Sequence, residues 1–208
     1  MQATLDATRE SIGGLVSTVA AGSRRADPDD DVLELVAQGQ VRGAVVELMQ
    51  RYGDAVYRYC REALRDVTLA DDVHQHVFIG AFGDLPRFQR RSTVRNWLFT
   101  IARNRVLDAA KRRRRARACI EKVEAAGAPP PAPSPTELID ETRLREALLA
   151  SLGELGERAR TAVLLRYQQG FSFEEMAVIC REKPDTLRAR VARALPQLRA
   201  GIEVRMAR

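Results

Sequence analysis

The sequence predicts an all-α fold built as two small helical domains joined by a Pro-rich linker. Apolar residues recur at alternating three- and four-residue spacing from Val41 to Leu64, the period of an amphipathic helix with one buried stripe. Near the C-terminus, two shorter helical patterns are separated by a brief turn around residues 181–183. No run of alternating apolar and polar residues between turn signals competes with these helices, so we expect no β-sheet.

A proline-rich segment separates the two helical parts. Five of the nine prolines lie in residues 127–136, and consecutive prolines exclude helix because they lack the backbone donor. We expect a polyproline-like spacer of about 3.1 Å per residue, about 30 Å in reach, so that two domains can lie well apart. The predicted parts are a weakly ordered N-terminal extension (1–28), a first helical domain (29–117), the linker (118–136) and a second domain (137–208).

Four helices are expected in the first domain. Asp29 to Asp31 should cap and charge the first turn of a short helix, and the long helix follows. A third helix fits residues 69–84, and its inward positions are predicted to be Val73, Val77, Phe78, Ala81 and Phe82. A fourth helix begins after a cap at Ser92 or Thr93, and its apolar stripe consists of Val94, Trp97, Leu98, Ile101, Ala102, Val106 and Ala109.

The positive charge of the chain is concentrated around the fourth helix. Between Pro86 and Arg117 there are eleven Arg and one Lys against a single acid, Asp108, a net charge of +11. The remaining residues carry 22 basic and 27 acidic side chains, a net charge of −5. Such a concentrated cationic segment is the electrostatic footprint of a polyanion site. Burying the apolar stripe leaves the other faces of the helix to Arg95, Asn96, Arg103, Asn104 and the basic run 111–115.

The connection before that helix, residues 87–91, mixes one aromatic ring, Phe88, with three arginines. Arg pairs with phosphate and stacks on bases, and an exposed aromatic ring offers an unstacked base a surface. This combination favours a site for single-stranded nucleic acid over a merely solvated basic helix. Trp97 lies on the apolar stripe, so its position is equally compatible with the core and with the site.

The second domain contains a helix-turn-helix pattern. Two helical patterns precede it, one carried by Leu144, Leu148, Leu152 and Leu155 and one by residues 157–167. Ser172 and Glu175 form a capping box for the next helix. After a turn, Pro184 is a favoured first-turn residue, and the helix over 186–195 bears Arg188, Arg190 and Arg193. A basic second helix after a turn of about three residues is the arrangement that places a helix in the DNA major groove.

Three segments occur in a characteristic order. The first is Ala70-Asp-Asp-Val-His-Gln-His-Val-Phe-Ile-Gly-Ala-Phe82, the second is residues 88–115 with Val94-Arg-Asn-Trp-Leu-Phe-Thr-Ile-Ala-Arg-Asn104, and the third is residues 157–190. In their order and spacing, with the linker between the second and third, they resemble bacterial RNA polymerase sigma factors of the extracytoplasmic-function (ECF) type. The resemblance covers roughly residues 29–203.

The resemblance implies a non-enzymatic transcription initiation factor that binds core RNA polymerase, at its clamp and flap, and directs it to promoter DNA. The first domain would read and help melt the minus-ten element through Arg87, Phe88, Arg90, Arg91, Arg95, Asn96, Trp97, Arg103 and Asn104. The helix-turn-helix would read the minus-thirty-five element through Thr186, Arg188, Arg190 and Arg193. Contacts to the polymerase clamp would come from Asp71, Asp72, Gln75 and Phe78. Such factors are commonly inhibited by a cognate anti-sigma protein, so we expect one as a partner.

Arg181, Pro196 and Gly156, which stands where a Pro is common, depart from the family pattern. Arg181 stands in the helix-turn-helix turn where the family usually has Gly, at a place that calls for a left-handed backbone. Pro196 interrupts the end of the second helix, and we expect the helix to stop or kink there.

One alternative function remains open: a stand-alone helix-turn-helix transcriptional regulator that uses the basic segment as an auxiliary arm. The acidic helix at 70–82 and the aromatic loop argue against it, because a protein that binds only duplex DNA needs neither. No metal site is expected, since His74 and His76 are two residues apart and do not share a helix face. No phosphate-binding loop, nucleophile elbow or pair of catalytic acids occurs, so we expect no catalytic residue and no cofactor.

The sequence also predicts the compartment. Three cysteines lie about sixty residues apart, too far for zinc or redox motifs, and are expected to be buried or incidental thiols in a reducing cytoplasm. The uncharged stretch from Ser11 to Ser23 lacks the basic lead of a signal peptide and the ~20 apolar residues of a membrane span. We therefore expect a cytoplasmic protein without membrane insertion.

Overall fold

A computed structural model describes residues 28–121 and 140–207, and over these ranges it is helical without a strand, which confirms the predicted all-α class. The N-terminal extension, except Pro28, and the Pro-rich segment 127–136 lie outside the described residues. The helices are α1 (Asp30–Ala37), α2 (Val41–Leu64), α3 (Val67–Asp84), α4 (Val94–Glu121), α5 (Asp140–Glu154), α6 (Glu157–Val163), α7 (Phe173–Cys180) and α8 (Pro184–Met206). A 3₁₀ turn, Leu85–Arg87, follows α3, and a π-helical turn, Leu164–Gln168, follows α6.

The upstream helices, α1 to α4, form a bundle around α2. Helix α2 packs against α1, α3 and α4, and its buried residues include Leu48, Val56, Tyr59 and Leu64. These positions follow the three- and four-residue spacing of the sequence, so the predicted stripe is buried at these residues, whereas Met49, on the same stripe, is 46% exposed. Asp66 caps the next helix, because its side chain accepts a hydrogen bond from the backbone N–H of Leu69 at 3.0 Å.

Two expectations for the upstream helices are wrong. Asp29 is at the N-cap position of α1 but makes no side-chain cap; its fully buried carboxylate binds Arg51 and Tyr52, which are stronger donors than a backbone amide. Phe82, predicted to face inward, is 51% exposed. Ala81 takes the inward place, and the 3.6-residue period turns the adjacent Phe82 outward.

The downstream helices, α5 to α8, form the second bundle. The capping box at α7 is confirmed: Ser172 Oγ accepts from the backbone N–H of Glu175 at 3.1 Å, and the Glu175 carboxylate accepts from the N–H of Ser172 at 2.8 Å. Arg181 adopts the left-handed backbone that the turn requires, with φ at 55°. The turn therefore keeps its geometry without Gly, at a cost of about 1 kcal/mol in strain.

Of the two outcomes expected at Pro196, a stop or a kink, the stop is wrong, because α8 continues to Met206 with Pro196 in its interior. Pro removes one backbone donor, and the carbonyl left without it belongs to Ala192, four residues earlier. Both residues are exposed, so water can satisfy that carbonyl. Leu187, Val191, Ala194 and Leu198 form a continuous buried stripe across the Pro and hold the helix in place.

The two bundles are in contact and share one hydrophobic core. Phe99 of α4 links them, with its ring centroid 5.9 Å from that of Tyr59 and 5.0 Å from that of Phe171, which precedes α7. Phe99 and Phe171 are fully buried. The linker length would allow separated domains, but in this structure the upstream and downstream helices close on each other.

Candidate nucleic-acid interface

The loop before α4 combines an aromatic pair with exposed arginines. Phe88 packs on Trp97, with ring centroids 5.4 Å apart and planes tilted by 52°, and both rings are partly buried. Arg87, Arg90 and Arg91 are exposed around them. Their guanidinium groups can bind phosphate, while the partly exposed rings offer a stacking surface.

Local geometry holds this loop in place. Arg90 has a positive φ of 50°, which bends the backbone sharply, and its guanidinium pairs with Asp30 of α1 at 3.0 Å. The loop ends at Thr93, whose hydroxyl oxygen accepts from the backbone N–H of Asn96 at 3.2 Å. This bond confirms Thr93 as the cap of α4 and sets where the basic helix begins.

Arg95 of α4 is directed toward the downstream helices. Its guanidinium lies over the ring of Phe171, 4.1 Å from the ring centroid, and donates a hydrogen bond to the backbone carbonyl of Gln169. A stacked cation gains about 0.5–2 kcal/mol from the ring, depending on exposure. Arg95 is thus held in this structure by residues of the other bundle.

Glu182, in the turn between α7 and α8, pairs with arginines of both bundles. Its carboxylate accepts two hydrogen bonds from Arg190 of α8, at 2.5 and 3.0 Å, and lies 3.7 Å from the guanidinium of Arg103 of α4. The Arg103 side chain is 13% exposed. Hydrogen bonding to Arg190, aided by the charge of Arg103, lowers the pKa of Glu182, and hydrogen bonding to Glu182 raises the pKa of Arg190.

The two asparagines expected on the basic helix differ in exposure. Asn96 is 6% exposed, and its side-chain oxygen has no hydrogen-bond partner among the described residues. Asn104 is exposed and accepts a hydrogen bond from Arg103 at 3.3 Å. Only Asn104 is on a surface that DNA could reach in this conformation.

The predicted recognition helix presents three of its four candidate residues to solvent: Thr186, Arg188 and Arg193. Arg188 pairs with Asp185 at 2.5 Å and lies over the ring of Phe173, 5.1 Å from the centroid. Arg193 donates to the carbonyl of Ala189 at 3.1 Å. Arg190 is the exception, because Glu182 holds it in a partly buried position.

A stripe of exposed side chains runs along α3. Asp71, Asp72 and Gln75 are exposed, and Ile79 and Phe82 continue the row at 59% and 51% exposure. The spacing of four and three residues places Gln75, Ile79 and Phe82 on one side of the helix. Apolar side chains beside acidic ones on an exposed face are suited to a protein partner.

Phe78 is different from the rest of that row. It is only 5% exposed and packs against His74, with ring centroids 5.2 Å apart, so it lies beneath the stripe. Sequence reasoning overlooked Ile79 and assigned Phe82 to the core. Ile79 could have been found from its four-residue spacing to Gln75.

Comparison with known proteins identifies both bundles. The family model for Sigma-70 region 2 matches residues 48–116, and the model for Sigma-70 region 4 matches residues 145–198. The ECF RNA polymerase sigma factor SigC of Mycobacterium tuberculosis (strain CDC 1551 / Oshkosh) is 32% identical over 184 residues, which cover 84% of this chain and 94% of the relative. This chain is an ECF RNA polymerase sigma factor.

Further relatives and solved structures support the same family and fold. The ECF RNA polymerase sigma-E factor of Escherichia coli (strain K12) is 30% identical over 176 residues, covering 80% of this chain and 90% of the relative. The solved structure of CnrH in complex with the cytosolic domain of CnrY matches with a TM-score of 0.63 and 25% identity, over 86% of this chain and 99% of CnrH. The sigma factor RpoE of Bartonella quintana, solved with the anti-sigma factor NepR, shares the fold with a TM-score of 0.61 at 23% identity, over 76% and 96%.

As a sigma factor, the chain is a non-enzymatic transcription initiation factor that directs RNA polymerase to promoters. The helices of residues 28–121 and 140–207 include none that is long and apolar enough to cross a membrane. Cys60 and Cys180 are buried, as expected, and burial raises the pKa of the Cys60 thiol to about 12.

Proposed function

We propose that this sigma factor divides promoter recognition between its two bundles. The loop 87–91 and the exposed part of α4 bind the melted minus-ten element, and α8 reads the minus-thirty-five element in the duplex. The stripe on α3 docks on the clamp of core RNA polymerase, and the downstream bundle contacts the flap. The protein acts in the cytoplasm, where core polymerase is.

The minus-ten assignment is supported by the loop chemistry. The five-residue loop 87–91 carries three exposed arginines beside the Phe88–Trp97 pair, so groups that bind phosphate lie next to rings that can stack on a base. Arg95 and Arg103 extend the same cationic face once they leave Phe171 and Glu182. The Asn96 side chain is buried, and its backbone N–H donates to Thr93 Oγ at the start of α4.

The minus-thirty-five assignment is supported by the exposed face of α8. Thr186 and Arg193 are seven residues apart and share one side of α8, while Arg188 is exposed on another side. Thr186 lies near the N-terminus of the helix, the end that approaches base edges in helix-turn-helix proteins. Arg is the residue that pairs bidentately with guanine in the major groove. Arg190 joins this face when Glu182 releases it.

The clamp assignment is supported by the mixed character of the α3 stripe. Asp71, Asp72 and Gln75 supply charge and polarity, while Ile79 and Phe82 supply apolar area that is exposed in the free chain. Exposed aromatic and aliphatic residues are typical anchors of protein interfaces. Phe78 supports the stripe from beneath.

A cognate anti-sigma protein is a further proposed partner. The two solved relatives described above are complexes, one with the cytosolic domain of CnrY and one with the anti-sigma factor NepR. The matched sigma chains cover 76% and 86% of this chain, so the matches extend over both bundles, and we expect a regulator that contacts both.

The observation that carries the proposal is the aromatic pair among exposed arginines, because duplex binding alone has no use for a stacking surface. The test is run-off transcription with core polymerase and a genomic promoter pool. We expect specific transcripts, and fewer of them when Arg90 and Arg91 are both replaced by Ala. The control is Arg42→Ala, an exposed arginine of α2, which should leave transcription unchanged.

The stand-alone regulator is the competing function. A gel-shift assay with the free protein distinguishes the two, because a regulator must bind its duplex site without polymerase. Tight specific binding by the free chain together with no transcript in the run-off assay would favour the regulator.

A further inference from the structure

The downstream bundle carries an open apolar groove between α5, the π-helical turn and the second half of α8. Its volume is about 720 Å³, and its walls include Leu148, Leu152, Tyr167, Leu195, Leu198 and Ile202. Leu148, Tyr167 and Leu195 are 39%, 61% and 40% exposed. The rim is polar, with Arg199 paired to Glu203 at 2.8 Å. A contiguous apolar surface with a polar rim marks an interaction site.

We infer that residues 12–25 of this same chain dock on the groove, with the apolar run 12–19 inside it and the Arg24-Arg25 pair at its edge. The inference goes beyond the proposed function and does not depend on the promoter or polymerase assignments. It gives the N-terminal extension a binding surface on the downstream bundle. Docking also covers apolar side chains that would otherwise be open to solvent.

The sequence of the segment matches the chemistry of the groove. Residues 11–23 carry no charge, and Ile12, Leu15, Val16 and Val19 follow the spacing i, i+3, i+4 and i+7. That spacing is the anchor pattern of an amphipathic helix that binds in an apolar groove. The four anchors are aliphatic, like most of the groove wall. Each would therefore exchange contact with water for contact with aliphatic side chains.

Pro28 fixes the point where the segment joins the described chain. Its carbonyl accepts a hydrogen bond from Arg51 of α2 at 2.9 Å, and Glu62, later on the same helix, lines the groove. The interval between Arg51 and Glu62 is close to three whole turns, so both lie on the same side of α2, about 16 Å apart along its axis. The chain from Val19 to Pro28 can span up to about 30 Å when extended. The segment can therefore reach the groove along one side of α2.

The charges of the segment and of the groove edge occur in the same order. Glu62 is half-buried and accepts no hydrogen bond from the residues that the structure describes. Burial raises its pKa, although nearby arginines act in the opposite direction. Arg24 and Arg25 lie in sequence between the apolar run and Pro28, just as Glu62 lies in space between the groove and Arg51. A guanidinium beside Glu62 would form a charge-assisted hydrogen bond with its carboxylate.

Trypsin cleavage at the Arg24-Arg25 pair tests the docking in the full chain, without DNA or polymerase. The test variant carries Leu15→Asp and Val16→Asp, which remove two anchors. Its matched control carries Ser17→Asp and Thr18→Asp, the same charge at positions that the anchor spacing leaves on the other side. Cleavage follows the undocked fraction, so we expect it to be about three- to tenfold faster in the test variant and unchanged in the control. Mass spectrometry of the products gives the rates.

A change in the groove tests the other side of the contact. Leu195→Asp places a charge on the groove wall, and its control is Val204→Asp, at a 55% exposed position of the same helix outside the groove. We expect faster cleavage at the Arg24-Arg25 pair in Leu195→Asp, by a similar factor, and the wild-type rate in Val204→Asp. Far-UV circular dichroism checks that both are folded. Leu148→Asp, on the α5 wall, takes the place of Leu195→Asp if that variant loses helical signal.

Each contrary outcome overturns the inference. Equal cleavage of the wild type and of the variant with Leu15→Asp and Val16→Asp would show that the segment does not dock. Faster cleavage in that variant with no change in the groove variant would assign the segment to another surface. A wild-type rate that falls as protein concentration rises would assign the groove to the segment of a second copy. Run-off transcription tests the proposed function separately, so failure of one leaves the other standing.

Discussion

One buried carboxylate, that of Asp29, binds two side chains of α2 in the upstream bundle. The Asp29 carboxylate accepts hydrogen bonds from Tyr52 Oη at 2.8 and 2.9 Å and from Arg51 at 2.7 Å. Arg51 also binds Asp31 and Glu47, so one guanidinium joins α1 to α2 through several acids. Hydrogen bonding to Asp31 and Asp29 raises the pKa of Arg51, and hydrogen bonding to Arg51 lowers that of Asp31.

Replacing Asp29 by Ala should therefore lower the free energy of unfolding by about 2–4 kcal/mol, because it leaves a partly buried guanidinium and a phenol short of an acceptor. Urea unfolding followed by circular dichroism measures the change. Asp30→Ala is the control, since Asp30 pairs with Arg90 on the surface and such pairs are worth about 0–1 kcal/mol. Equal losses in the two variants would contradict the role given to Asp29.

The exposed arginines of α8 can be tested one at a time. Arg188→Ala or Arg193→Ala should each weaken holoenzyme binding at the minus-thirty-five element by about 1–3 kcal/mol if the side chain reads a base. Filter binding with the cognate element and a scrambled one measures this. Arg199→Ala, a change at an exposed arginine of the same helix paired with Glu203, is the control. Equal weakening on both DNAs would assign the arginine to phosphate contact.

At the scale of the element, α8 shows how packing overrides a local signal. Pro196 predicts a helix end, yet the buried stripe from Leu187 to Leu198 continues through it. Burial of the apolar side chains stabilises the helix along the whole stripe, whereas Pro196 removes only one backbone hydrogen bond, on the exposed side of the helix. The same reasoning explains Arg181, whose left-handed backbone is imposed by the helices on both sides.

Pro196→Ala should consequently stabilise the protein, because it restores one backbone donor inside a helix that already exists. We expect a gain of about 1–3 kcal/mol, the cost of Pro in a helix interior reduced by partial relaxation. Thermal unfolding measures it, with Ala192→Pro as the opposite change one turn earlier. A lower melting temperature for Pro196→Ala would mean that the Pro ring makes a contact needed by the fold.

At the scale of the whole molecule, one shared hydrophobic core joins the upstream and downstream bundles, although the linker is long enough to let them separate. Cys180 reports on this junction, because it is 5% exposed at the end of α7 and lies near Arg103 of α4. Burial raises the pKa of its thiol, so the reactive thiolate is scarce at neutral pH while the bundles are closed.

Alkylation at pH 8 should therefore be slow at Cys180 in the wild type and faster in Gln169→Ala, which removes the hydrogen bond from the Gln169 side chain to the Ala55 carbonyl between the bundles. The rate should rise with pH in both proteins, since only the thiolate reacts. Peptide mass spectrometry gives the rate at each cysteine, and Cys60, fully buried in α2, is the internal control. Equal rates at Cys180 in the two proteins would show that its burial does not depend on closure.

The sequence by itself determined the helical class, most helix positions, the capping box at Ser172, a cap at either Ser92 or Thr93, and the family. These features are local: helical periodicity and capping depend on residues within one or two turns, and the family motifs are short segments in a set order. The candidate DNA-binding residues also came from the sequence, because charge and aromatic content can be counted along a chain.

Only the tertiary structure decided which of those residues are available. Phe82 and Ile79 are exposed because no described helix covers that side of α3. Asn96, by contrast, is buried. Asp29 binds Arg51 and Tyr52 instead of capping α1. The closure of the two bundles through Glu182, Phe99 and Phe171 joins residues more than seventy positions apart. Contacts over such distances depend on how whole helices pack, and no pattern within a single helix reports them.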